Sequence, residues 1–251
     1  MRLPSLFSRK SPKSTLQFSA PIAPETAFVA VGDVHGECQL LEQTLQAVQE
    51  VEPELPIICV GDYIDRGEDS RAVLELLHGL TKDKTSQVMC LMGNHEQMLL
   101  RFLDDPEARG PAWLRYGGLQ TLASYQIAND ASGLRGVRDK LAAAIGIEIV
   151  EWLRNLPLVW TTGNIAVTHA GADPRSPVDN QPDRALLWGH ADFETVPRGD
   201  GVWVVHGHTI VDEACATDGR IAIDTGAYAT GTMTAAKISK DGVSFLVTTK
   251  S

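Results

Sequence analysis

The sequence predicts an α/β fold: a β-sandwich core of mixed sheets packed face to face and flanked by helices, with a helical insert near one end of the strands. Short apolar runs rich in Val and Ile recur from Phe28 to Lys250, and helical periodicity separates the first three. Short turn-forming sequences join the runs at the end of the chain.

The first run, FVAVGD at 28–33, is apolar without alternation, as strands covered on both faces are. A helix is expected over 39–50, then the run IICVGD at 57–62. A second helix is expected over 70–78, with Ser70 as N-cap and Gly79 as stop, before QVMCLMGN at 87–94. Strands spaced about 30 residues apart around helices suit right-handed crossovers, so these three are expected to pair in parallel. Residues 95–160 carry leucines, alanines, Trp113 and Trp152 at helical spacing and no comparable run, which predicts a helical insert. Strands follow at 165–170, 202–208, 220–226, 233–239 and 244–250. Turns at 217–220 and 240–242 predict an antiparallel portion closing the chain.

Residues 1–27 hold Pro4, Pro12, Pro21 and Pro24 amid Ser and Lys, with no apolar stretch of signal-peptide form, so a flexible tail is expected there and one domain over 28–251. The tail has Arg2, Arg9, Lys10 and Lys13 against Glu25, and the remainder holds 18 basic against 31 acidic residues. Such a body repels phosphate backbones, which excludes nucleic acid as an expected partner. No run reaches the roughly 18 apolar residues of a spanning helix, so no membrane partner is expected either. Cys38, Cys59, Cys90 and Cys215 form no CxxC pair, and reduced thiols in a cytoplasmic protein are the expectation. Oligomeric state is not legible.

Polar clusters end the first three runs: Gly32-Asp33-Val34-His35-Gly36, Gly61-Asp62-Tyr63-Ile64-Asp65-Arg66-Gly67 and Gly93-Asn94-His95-Glu96. Ligands of open α/β sheets gather outside the carboxyl ends of strands, so these clusters are expected to converge. Carboxylate, imidazole and amide oxygen together suit manganese, iron or zinc rather than calcium. Asp33, His35, Asp62, Asn94, His169 and His208 suffice for two divalent ions if one carboxylate bridges, and paired ions suit in-line phosphoryl transfer. His206, two residues before His208, is the competing histidine of its strand.

The series GDVHG, GDYIDRG, GNHE, HAG at 169–171 and GHT at 207–209 resembles the calcineurin-like metallophosphoesterases, and among them the phosphoprotein phosphatase type in its bacterial form. The likeness runs through WLRYGGLQTLASY (113–125), LLWGH (186–190) and RIAIDTGAYATG (220–231). It implies that Asp33 and His35 bind one metal, that Asp62 bridges, and that Asn94, His169 and His208 bind the other. It further implies that His95 protonates the leaving oxygen, that Asp65 orients His95, and that Arg66 grips the phosphate alongside Asn94. Two divalent ions, manganese first, are the implied cofactors, with direct attack by a hydroxide generated at the binuclear centre.

The pattern departs at Leu187-Trp188-Gly189-His190, where the family type offers a second phosphate-binding arginine. His190 then either contacts phosphate or lies on a loop surface. Ile210 stands where phosphodiesterases of the wider family carry a second histidine, which favours a monoesterase. A serine/threonine protein phosphatase, or a hydrolase of small phosphomonoesters, is therefore the first expectation. The alternatives are a symmetrical dinucleoside tetraphosphate hydrolase and a catalytically dead module that binds phosphorylated partners.

Overall fold

A computed structural model describes residues 18–128 and 132–250. In chain order the elements are β1 (Phe28–Val31), α1 (Cys38–Val51), β2 (Ile57–Cys59), α2 (Ser70–Lys82), β3 (Val88–Cys90), α3 (Asn94–Asp104) and α4 (Pro106–Trp113). A π-helical turn over Leu114–Gly118 leads to α5 (Leu119–Ser124), α6 (Gly133–Ile145) and α7 (Ile147–Arg154). Then come β4 (Val159–Thr162), β5 (Ile165–Thr168), α8 (Asp183–Trp188), β6 (Trp203–His206), β7 (Cys215–Thr217), β8 (Arg220–Ala222), α9 (Ala227–Thr230), β9 (Thr232–Ser239) and β10 (Gly242–Thr249).

The strands form two five-stranded sheets, ordered β10-β9-β1-β2-β3 and β4-β5-β6-β8-β7. The expected parallel trio is present, with Val29 opposite Ile57 and Ile57 opposite Val88. Phe28, Ala30, Ile58 and Leu91 from one sheet meet Ile165, Val167, Val205 and Ile221 from the other in a shared apolar layer. The opposite face of the first sheet is covered by α1 and α2, which bury Leu40, Leu41 and Val48, and Val73, Leu74 and Leu77. Spacings of three and four residues put those side chains on one helical stripe.

Several expectations change. The helix expected over 70–78 runs on to Lys82, because exposed Gly79 sits on its outer face where nothing crowds it. Ser70 is its first residue rather than its cap, and the Ser70 hydroxyl instead accepts the Asp65 N–H. The chain's end is not one antiparallel unit: β6 pairs β8 in parallel, while the turn at 217–220 joins β8 to the edge strand β7. Of the expected tail, residues 1–17 lie outside the described residues. Residues 18–26 are not loose: Asn164 accepts the Ala23 N–H at 2.8 Å and donates to Pro21 O, and Trp203 donates to Ala20 O. Phe18 packs edge-on against Trp203, at 5.1 Å between ring centroids. Among the described residues no helix is long and apolar enough to cross a membrane.

Candidate metal centre and active site

Both sheets present the C-terminal ends of their parallel strands at one edge, and the loops there carry the predicted residues. Asp33 and His35 follow β1, Asp62 follows β2, Asn94 and His95 open α3 after β3, His169 follows β5 and His208 follows β6. These loops are strained. Seven described non-glycine residues have positive φ, and five are in the site: His35 (46°), Asp62 (55°), Asp65 (70°), Arg66 (69°) and His208 (65°). Each such conformation costs on the order of 1–3 kcal/mol and persists only where surroundings dictate it.

Glu96 supplies much of that constraint. It is buried at the start of α3, and its carboxylate accepts N–H groups from Asp62 (2.9 Å), Tyr63 (2.8 Å), Ile64 (3.3 Å) and Gly93 (3.0 Å). The His35 N–H and Val34 N–H both donate to Asp62 O, tying the first loop to the second. Gly207 lets the loop after β6 come close to Asp33, since a Cβ there would lie 1.9 Å from Asp33 Oδ1.

Asp62 stands at the centre. Its Oδ2 lies 3.4 Å from His35 Nε2 and its Oδ1 lies 3.4 Å from His169 Nε2. Asn94 Oδ1 is 2.8 Å from His169 Nε2 and 2.9 Å from His208 Nδ1. Two groups of three convergent donors result, His35–Asp62–His95 and Asp62–His169–His208, sharing Asp62. His35 Nδ1 faces Ile64 O and His169 Nδ1 faces Val60 O, at 2.9 and 3.1 Å. A proton on each Nδ1 leaves the inward Nε2 lone pair free, the arrangement that metal-ligating histidines show.

Electrostatics agree with cation binding. Burial pushes His35 down to about 3 and His169 down to about 4, so both rings are neutral donors near pH 7. Burial alone would raise the Asp62 carboxyl, but His169, His95 and His35 outweigh it and hold Asp62 well below the ordinary carboxylate range. Asp33 is raised by burial and by the charges of Asp224 and Asp62. Three buried carboxylates that repel one another are relieved by a bound cation.

At the rim, His95 Nδ1 meets Asp65 Oδ2 at 2.7 Å, and His95 Nε2 lies 3.2 Å from Arg66 Nη2. Asp65 is fully buried and also accepts Thr121 Oγ1 at 2.6 Å and Trp113 Nε1 at 3.0 Å. Burial lowers His95, but Asp62 and Asp65 reverse the effect, and its pKa ends above the ordinary histidine value. The Arg66 guanidinium also lies over the Tyr228 ring, 4.9 Å from its centroid.

Not every expected residue joins the cluster. Both Asp33 carboxylate oxygens accept the His208 N–H, at 3.0 and 3.2 Å, so Asp33 braces the far side while lying outside both donor triads. His190 turns toward its own loop, with Nδ1 accepting the Asp192 N–H; among the described residues no contact joins it to Arg66 or His95. His206 is buried against Phe193, with ring centroids 4.9 Å apart, and is not in either triad. Glu96, which the sequence offers only as the last residue of the third polar cluster, orders two loops, the one after β2 and the one before α3. Trp113 does pack in the helical core, stacked on Phe102, yet it also reaches Asp65. Thr121, Asp224 and Tyr228 carried no expectation at all. The GGLQTLASY segment was a visible signal for Thr121, but only the fold shows which carboxylate it meets.

Residues 26–212 match the model of the calcineurin-like phosphoesterase family. The symmetrical bis(5'-nucleosyl)-tetraphosphatase of Nitrosococcus oceani is 28% identical over 155 residues, 59% of this chain. That match spans 45% of the relative's length, so this chain covers about half of it. The asymmetrical bis(5'-nucleosyl)-tetraphosphatase of Oceanobacillus iheyensis is 28% identical over 219 residues, covering 78% of this chain and 82% of the relative. Serine/threonine-protein phosphatase 2 of Escherichia coli is 39% identical over 88 residues, 35% of this chain and 37% of the relative. Among solved structures, one described provisionally as a diadenosine tetraphosphatase superposes with a TM-score of 0.63 at 20% identity, covering 93% of this chain and 100% of that one. With two mixed sheets, helices outside and a family match over most of its length, the chain belongs to the calcineurin-like phosphoesterases, hydrolases that use divalent metals.

Proposed function

We propose that the chain hydrolyses dinucleoside tetraphosphates, cutting a phosphoric anhydride bond at a two-ion centre built around Asp62. The observation that carries this reading is the match along 82% of an asymmetrical bis(5'-nucleosyl)-tetraphosphatase, against 37% of a serine/threonine phosphatase. The protein phosphatase expected first from the sequence gives way to the dinucleotide alternative on that difference in extent.

In this reading Asp33, His35 and Asp62 would hold one ion, and Asp62, Asn94, His169 and His208 would hold the other. Two divalent ions there, manganese, iron or zinc by the donor chemistry, would supply Lewis acidity and a hydroxide nucleophile at neutral pH. Arg66 pairs with the phosphate through its planar fork, and Asn94 lies beside it. His95 donates its proton to the leaving oxygen, while Asp65 accepts from Nδ1 and so keeps the acidic proton on Nε2.

The test compares initial rates of the manganese-loaded chain on diadenosine tetraphosphate and on a phosphothreonine peptide, with nucleotide products separated by chromatography. Faster cleavage of the dinucleotide is expected, and the products tell symmetrical from asymmetrical attack. Peptide dephosphorylation with no dinucleotide turnover would restore the protein phosphatase and remove this reading.

A further inference from the structure

Beside the cluster, the wall built by the helical insert opens into a groove of about 490 Å³ lined by Arg66, Leu114, Arg115, Tyr116, Leu119 and Tyr228 among others. Its chemistry differs from that of the rest of the molecule. The chain carries a net charge of −10, yet the lining includes two arginines and no carboxylate. Arg115 is exposed and, among the described residues, has no ion-pair partner. Tyr116 and Leu119 are 52% and 49% exposed, large apolar surfaces held out to solvent on either side of buried Gly118.

The groove is continuous with the reaction site through Arg66, which faces His95 on one side and Tyr228 on the other. Its floor is held by the π-helical turn, where Gly117 has φ of 116° and its carbonyl accepts the Arg66 N–H at 3.3 Å. A bound polyphosphate reaching from Arg66 into the groove therefore has a second guanidinium and an exposed aromatic ring in the lining around it.

We infer that this groove is the subsite for the nucleoside end of the substrate, Tyr116 stacking on the base and Arg115 pairing with the phosphates outside the scissile bond. Stacking on a tyrosine tolerates any base, since every base has a π face. The guanidinium supplies the charge complementarity that the acidic body lacks. This inference rests on the dinucleotide reading and deepens it.

The experiment measures kcat and KM for diadenosine tetraphosphate and for p-nitrophenyl phosphate, which has neither base nor second phosphate, with the full chain and with Tyr116→Ala, Tyr116→Phe and Arg115→Ala. Tyr116→Ala should raise the dinucleotide KM about tenfold, the scale of one lost stacking contact, and Tyr116→Phe should restore it. Arg115→Ala should raise the same KM, and none of the three should change p-nitrophenyl phosphate turnover. Dinucleotide turnover by the wild-type chain with KM unchanged in the variants would overturn the groove assignment alone, as would equal losses on both substrates. A wild-type chain that cleaves the monoester but no dinucleotide would remove the function and the groove assignment together.

Discussion

At His95, burial and charge pull in opposite directions, and the outcome decides what the ring can do. Burial favours the neutral imidazole, whereas Asp62 and Asp65 favour the imidazolium and prevail, so the ring is kept protonated at higher pH than a free histidine. A donor is active while it holds its proton, so kcat should fall as pH rises through the raised pKa. Asp65→Asn removes the negative charge that helps raise it while leaving an oxygen that can still accept from Nδ1, and the falling limb of the pH–rate profile should then move to lower pH. An unmoved limb in Asp65→Asn would show that another group sets it. His95→Ala should lower kcat by about 10²–10⁴ while the metal content, read by elemental analysis, stays at the wild-type level. At this scale the sequence was most legible: Asp62, Asn94, His95, His169 and His208 meet as their motifs predicted, because each motif ends a strand and parallel strands deliver their ends to one edge. Residues that act across loops were not legible. Glu96 resembles any acid in a first helical turn, and its four backbone donors come mainly from a loop some 30 residues earlier in the chain.

The insert is more than a wall. Asp65 receives hydrogen bonds from Thr121 of α5 and from Trp113 of α4, so the group that orients His95 is itself set by two elements of the insert. Gly117 fixes how closely that unit approaches the site, because an added Cβ would stand 2.6 Å from Arg66 N at a φ that side chains rarely adopt. Gly117→Ala should therefore displace Arg66 and lower kcat/KM at least about tenfold, with the metal content intact, on the scale set by misplacing a substrate-binding group. Wild-type kinetics for this variant would separate the insert from catalysis. Helical spacing made the insert visible over 95–160, but strand β4 at its end is short and partly exposed, and β7 is an exposed edge strand with no apolar run. Both escaped notice because each is defined by its neighbour in the sheet more than by its own residues.

Across the whole molecule, the sandwich layer and the strap at 18–26 hold the two sheets so that their loops coincide. The apolar layer was legible in the Val- and Ile-rich runs. Parallel pairing of β6 with β8 was not, since it depends on β7 folding back at the edge. Asn164 anchors the strap through Ala23 and Pro21 and ties it to Gly201 in the loop before β6, and its replacement by alanine removes these three hydrogen bonds. Asn164→Ala should destabilise the fold by about 1–3 kcal/mol in denaturant titration, while metal content and kcat remain as in the wild type. The central claim, that Asp62 joins two ion sites drawn from both sheets, is tested most directly by counting bound manganese per chain in the wild type and in Asp62→Asn. Two ions in the wild type, and a loss of manganese together with hydrolysis in Asp62→Asn, is the predicted result. A single ion in the wild type, or an undiminished count in Asp62→Asn, would contradict the claim.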